Sequence, residues 1–296
     1  MTSYSQISNL AILPRLFSNT FFEDLVKINT SSILNEAVKT TRILDFLPNN
    51  VDLRGLLDFV YEVMVKRYRN EYVYKNILAN KILLGRHSLN TSFMINELGV
   101  DGCKADSVIF NGTSTVYEIK TELDSFDRLM RQVGAYIKAF DKVYVVTSDS
   151  ISQIRQVENM LPPSVGIMVL SKKNRLSIVR ETESHQERVE STVIFDILRQ
   201  AEYLKIIKEY YGYIPQVSNA FMYRASRALF KEIPPKIAHD EMVRHLKKRG
   251  KVLEDFILNV PISLKAYSLK TRLSCKQRAC CLSLLSTKVH DLLSIT

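Results

Sequence analysis

Residues 105 to 120 read Ala105-Asp106-Ser107-Val108-Ile109-Phe110-Asn111-Gly112-Thr113-Ser114-Thr115-Val116-Tyr117-Glu118-Ile119-Lys120. Two β-rich runs flank Asn111-Gly112, a pair that signals a hairpin because both residues tolerate positive φ. From Val116 to Lys120 successive side chains alternate across the strand. Glu118 and Lys120 therefore share one face, while Tyr117 and Ile119 share the other. An acid and a base side by side on an interior face gain nothing for folding. Desolvation costs several kcal/mol for each ion unless something, such as a divalent cation, compensates.

The turn decides whether Asp106 joins them. A two-residue loop pairs Phe110 with Thr113 and Asp106 with Tyr117, pointing Asp106 away from Glu118. A three-residue loop with Gly112 as the left-handed residue pairs Ile109 with Thr113. Asp106 then faces Val116 and lies diagonally from Glu118 on the same side. A one-residue change of register moves every side chain to the other face. The joint site therefore requires an odd-length loop or a bulge at Asn111-Gly112, and we expect one.

Working outward, a helix is expected over Tyr68 to Leu84, stopping at Gly85. A first strand follows over Thr91 to Leu98, then hairpin strands near 104 to 110 and 114 to 121. Asp124 is positioned to cap a helix whose stripe is Phe126, Leu129, Met130, Val133, Tyr136, Ile137 and Phe140. Lys142 to Thr147 reads as a buried strand after Asp141. A helix over Ile151 to Leu161 ends at Pro162-Pro163. Strands over Val165 to Leu170 and Leu176 to Arg180 flank a turn at Lys172-Lys173-Asn174. Residues 1 to about 60 read as short helical pieces broken at Pro14 and Pro48. Residues 181 to 190 read as a polar surface linker, and the rest as helices punctuated at Gly212, Pro215, Pro234-Pro235, Gly250 and Pro261.

The order helix, three strands, helix, strand, with Asp106 and Glu118-Ile119-Lys120 inside it, resembles the PD-(D/E)XK nuclease superfamily. Within it, Glu97…Lys104-Ala105-Asp106…Tyr117-Glu118-Ile119-Lys120…Arg131-Gln132 looks like a group of uncharacterised bacterial nuclease-like proteins. The resemblance covers residues 68 to 180. It implies an α/β fold with a restriction-endonuclease-like αβββαβ core and a mixed sheet. The expected division is a helical extension at 1–60, the nuclease-like core at 61–185 and a basic helical domain at 186–296.

On this reading Asp106 and Glu118 are metal ligands whose hard oxygens suit Mg²⁺ or Mn²⁺. The resemblance adds the backbone carbonyl of Ile119. Lys120 orients the attacking water or neutralises developing charge; the bland alternative is a Glu118–Lys120 surface ion pair of little worth. A third carboxylate commonly comes from the helix before the first strand, which Glu71 suits, with Glu97 as its rival. Gln132 and Tyr136 lie at i and i+4 on one helical face. In some relatives such a pair positions the lysine or the DNA, but Tyr136 also falls in the apolar stripe, leaving Gln132 the better functional candidate. Arg128, Arg131 and Lys104 are either phosphate contacts or a solvated polar face.

Forty-one Lys and Arg against 31 Asp and Glu leave a net charge of +10, which favours a polyanionic partner. From Phe221 to Thr296 there are fifteen basic against six acidic residues, so most of the excess lies in the last quarter. Cys103, Cys275, Cys280 and Cys281 form no CxxC pair or disulfide framework, which fits a reducing cytoplasm. Cys275, Cys280, Cys281 and His290 match no common zinc spacing. No leader pattern or membrane-length apolar run is present. The expectation is thus a cytoplasmic, Mg²⁺- or Mn²⁺-dependent nuclease acting on DNA, in phage defence or DNA processing. Its C-terminal helical domain would bind substrate or a protein partner. The alternative is a nuclease fold used for binding or immunity without cleavage. A sequence-specific DNA binder lacks a helix-turn-helix signature.

Overall fold

A computed structural model of the chain describes residues 6–86, 89 and 91–293. In chain order its main elements are α1 (Asn19–Ile28), α2 (Ser32–Thr41), α3 (Leu53–Arg67), α4 (Glu71–Leu78), β1 (Phe93–Val100), β2 (Cys103–Phe110), β3 (Ser114–Lys120), α5 (Leu129–Ile137), β4 (Lys142–Ser148), α6 (Ile151–Met160), β5 (Gly166–Leu170), β6 (Leu176–Arg180), α7 (Ser191–Ile197), α8 (Gln200–Tyr211), α9 (Asn219–Lys231), α10 (Pro235–Lys248), α11 (Glu254–Asn259) and α12 (Cys275–Leu284). None of the described helices is long and apolar enough to cross a membrane.

The chain forms two compact units, one of residues 1–82 and 252–296, the other of residues 83–251. The first gathers both chain ends. The Phe22 and Tyr267 rings stack with centroids 4.1 Å apart, the Tyr72 hydroxyl donates to the Ser263 carbonyl at 2.6 Å, and Asp52 and Lys288 form an antiparallel bridge. The chain thus divides elsewhere than at the expected 60/61 and 185/186: residues 252–296 share a unit with the N-terminal helices, while α7 to α10 belong with the sheet.

The second unit is built on a mixed six-stranded sheet whose strands lie in sequence order. β1, β2 and β3 are successively antiparallel. β3, β4 and β5 are parallel, each pair joined by a crossover helix as parallel strands require. β6 returns antiparallel to β5. Every residue of β3 and of β5 is buried, as expected of central strands covered on both faces. One face, carrying Val108, Phe110, Val116, Val143, Val145 and Ile167, shares a core with α5 and with Phe195, Ile206, Phe230 and Met242 from the later helices.

The hairpins differ in a way that matters for the site. β1 and β2 meet in a tight loop, Asp101-Gly102, with both residues at positive φ (45° and 70°) as a type I′ turn requires. β2 and β3 are joined through Asn111-Gly112-Thr113, with Phe110 opposite Ser114 and only Gly112 at positive φ, 101°. The expected odd loop is present. Its register differs from the expected one by two residues, because Ile109 pairs with Thr115 rather than with Thr113.

Three local readings are corrected. Asp124 does not cap α5, which starts at Leu129 after Arg128 without a side-chain cap; its Oδ2 accepts from the Thr121 amide and hydroxyl and closes a turn after β3. The helix expected over 68–84 is α4 followed by a π-turn at Ala79–Leu83, and helix continues past Gly85 to Arg86. Residues 181–190 lie mostly on the surface as expected, but no unit boundary falls there and they are tied to the sheet unit. Ser184 donates to the Asp141 carboxylate, the His185 amide donates to the Asp141 carbonyl at 2.7 Å, and His185 and Val189 are buried.

Gly166 pairs with Tyr144 across β4 and β5, and the Tyr144 ring lies where a Cβ would be, 2.3 Å away. That ring is fixed by stacking on Tyr117 at 5.8 Å and by its hydroxyl on Glu181. Gly166→Ala is expected to lower stability by about 1–3 kcal/mol through overpacking. Urea denaturation checks this; an unchanged midpoint would show that the Tyr144 ring moves freely.

Candidate functional site

The β2–β3 register brings Asp106 and Glu118 together. The last paired residues are Ser107 and Tyr117, so continuing one step sets Asp106 directly opposite Glu118 on the same face. The strands part here, and the Asp106 carboxylate fills the gap: its Oδ2 accepts the Ile119 amide at 2.8 Å. Asp106 is half-buried and Glu118 is buried. On the opposite face the buried Ser107 hydroxyl donates to Asn96 Oδ1 at 2.8 Å.

Lys120 Nζ lies 3.1 Å from Glu118 Oε1, with side-chain exposures of 10% and 1%. This is an enclosed pair, not the solvated surface pair of the bland reading. Two residues of α5, four apart and hence on one face, hold it. Gln132 Oε1 accepts from Lys120 Nζ at 3.0 Å. The Tyr136 hydroxyl lies 2.8 Å from Glu118 Oε2 and 2.9 Å from the Lys104 carbonyl, within donating distance of both. Burial first, then the Glu118 carboxylate, pushes the Tyr136 pKa far up, with a smaller contribution from Asp106. The phenol therefore stays protonated and remains a donor.

The sequence reading gave Tyr136 less weight than Gln132, because it lies in the apolar stripe. It is in fact both, a fully buried core ring with its hydroxyl on the acid. The spacing to Gln132 was the signal, and the stripe obscured it. Tyr136→Phe removes a hydrogen bond to a charged group and is expected to cost about 2 kcal/mol. Equilibrium unfolding in urea measures this, and a fully stable variant would mean that Glu118 does not depend on Tyr136.

The two rival third acids are placed differently. The pairs Asn96–Ser107 and Leu98–Ala105 put Glu97 level with Asp106 in the sheet. Glu97 itself adopts φ 61°, a strained conformation for a residue with a side chain, and its carboxylate is paired with Lys104 Nζ at 2.8 Å. Glu71, half-exposed, begins α4 in the helical unit and is ion-paired with Lys75 one turn on. Among the described residues, neither completes a three-acid cluster with Asp106 and Glu118. Arg128 and Arg131 are exposed around the first turn of α5, as is Lys104 on β2. Cys275 is exposed and Cys281 buried.

Fold and site thus define a mixed α/β unit with an acid–acid–lysine constellation under a helix. The family model described as Bacteriophage P4 protein cII matches residues 64–270, and the chain belongs to that family. No curated protein matches it. Among solved structures, a protein of unknown function from Silicibacter pomeroyi is similar at 14% identity and a TM-score of 0.29, over 56% of this chain and 82% of that one.

Proposed function

We propose that the protein is a metal-dependent nuclease of the PD-(D/E)XK type, hydrolysing phosphodiester bonds of DNA. The observation that carries this reading is the meeting of Asp106, Glu118 and Lys120 on one sheet face, with Gln132 and Tyr136 fixing the latter two. Along the chain the order α4, three strands, α5, β4 follows the αβββαβ sequence, with α4 in the helical unit and the rest in the sheet unit. Hard carboxylate oxygens on neighbouring strands fit Mg²⁺ or Mn²⁺, with the Ile119 carbonyl as a further donor. Bound there, the ion would acidify a water and stabilise charge on the phosphate oxygens.

The chain's own groups have distinct parts. Asp106 is oriented by the Ile119 amide, which donates to its Oδ2. Glu118 is oriented by the Tyr136 hydroxyl. Lys120, clamped by Gln132, presents a cation beside the reacting phosphate without reorganisation. The net charge of +10 supports a polyanionic substrate, and the bacteriophage in the family's description suits a setting of phage DNA processing or defence.

The binding-only reading gains from one observation. Both Glu118 oxygens are already engaged, one by Lys120 and one by Tyr136, so the site is electrostatically satisfied as it stands. The deciding assay incubates the purified chain with supercoiled, linear and single-stranded DNA, and with RNA, with and without Mg²⁺ or Mn²⁺. Cleavage dependent on the added ion is expected. Retention of nucleic acid without cleavage in every arm would replace the nuclease reading with the binding one.

A further inference from the structure

A second cluster lies away from this site, between α8 and α10. Glu209, Glu241 and His245 each place a ligand atom within 4.8 Å of the others. Glu241 and His245 are four apart on α10 and so share a helical face. The His245 side chain is 5% exposed. Its Nε2 lies 3.8 Å from Glu241 Oε2, too far for a hydrogen bond, and has no other partner. A buried ring nitrogen aimed at two carboxylates and bonded to neither is an arrangement that folding alone does not favour.

What holds the carboxylates is Arg244. Its Nη2 contacts both Glu209 Oε2 and Glu241 Oε2, with Lys205 Nζ further off at 3.9 Å from Glu209 Oε1. The Arg244 side chain is 42% exposed, so its guanidinium can swing into water without disturbing the core. His245, buried beneath, cannot follow it.

We infer that Glu209, Glu241 and His245 form a transition-metal site of the Zn²⁺ class, in which the Arg244 guanidinium holds the cation's place when no metal is bound. One imidazole nitrogen and two carboxylates are a donor set that zinc uses, three protein ligands leaving a position open to water. Mg²⁺, which takes oxygen donors, has no use for the imidazole. Small side-chain rotations bring the donors to bonding distance, and the released guanidinium is solvated. This site shares no residue with Asp106, Glu118 and Lys120, and it stands whether or not the protein cuts nucleic acid.

The test is a calorimetric titration of the metal-free full-length chain with Zn²⁺, carried out in Asp106→Ala to remove the other candidate ligand. One Zn²⁺ per chain is expected. Glu241→Gln should weaken binding by at least about tenfold, as loss of a ligand does, and Arg244→Ala should tighten it by about tenfold because the competing cation is gone. Both changes are on solvent-accessible side chains, and circular dichroism verifies folding. Co²⁺ loaded in place of Zn²⁺ should show nitrogen and oxygen coordination without a thiolate charge-transfer band. Zinc affinity unchanged in both variants, no binding at all, or a thiolate band would each overturn the inference.

Discussion

Asp106→Ala is expected to remove metal-dependent cleavage, lowering the rate by about 10³-fold or more. The carboxylate lies opposite Glu118 and is half-buried, so the change takes away one of the two proposed carboxylate ligands at the point where the strands part. Asp106 also accepts the Ile119 amide, so an alanine could act by loosening the strand rather than by losing the ion. Asp106→Asn separates the two: its side-chain carbonyl can still accept that amide, while the negative charge is gone. If both variants lose activity and both unfold at the same urea concentration as the parent, the charge is what matters. Plasmid cleavage measured over a Mg²⁺ series reads the result. Activity of either variant within about tenfold of the parent would place the chemistry elsewhere.

The second large effect is on stability. Lys120→Met leaves Glu118, 1% exposed, without its cation. Removing one partner of a buried pair costs about 3–5 kcal/mol, because the remaining charge stays desolvated. Tyr136 still donates to Glu118, so the lower half of that range is expected. The informative comparison is chemical unfolding in EDTA against unfolding in Mg²⁺. An ion that binds only the folded chain adds about 2.7 kcal/mol at a hundred times its Kd, so Mg²⁺ should recover much of the loss. Equal stability of variant and parent in EDTA would mean that Glu118 is not held as a buried anion.

Much of this was legible in the residues because strand geometry is strict. Period-two alternation put Glu118 and Lys120 on one face, and the need to bring Asp106 to that face required an odd loop, which Asn111-Gly112-Thr113 supplies. The exact pairing was not legible, since two odd-loop registers satisfy the same parity and differ only in which residues meet across the turn. The apolar run from Lys142 to Thr147 marked β4 to within one residue of its end at Ser148. Asp124 misled because an Asp before an apolar stripe is as good a turn former as a helix cap, and here the Thr121 hydroxyl and amide claimed it first. Asp101-Gly102 is as strong a hairpin signal as Asn111-Gly112, and it sets β1 two residues later than the expected Thr91 to Leu98. Glu97 and Glu71 differ in this respect. Each has a lysine partner: Glu71–Lys75 is an i,i+4 pair that the spacing offered, whereas Glu97–Lys104 meets across the β1–β2 hairpin, whose register had to be known first. The sharing of one unit by both chain ends leaves no local mark at all.

That shared unit has a consequence for how the protein is made. The sheet-bearing unit is continuous from residue 83 to 251, so all of it is synthesised before residues 252–296, which belong to the other unit. The N-terminal helices must wait. Their partners, including Ser263, Tyr267 and Lys288, are made after the whole of the sheet-bearing unit. Phe22 and Tyr72, buried in the finished molecule, stay without those partners until then. Vectorial synthesis thus orders assembly from the middle outward. A premature stop near residue 251 would release a chain able to complete its sheet yet left with an uncovered apolar N-terminal arm, a natural target for chaperones and proteases.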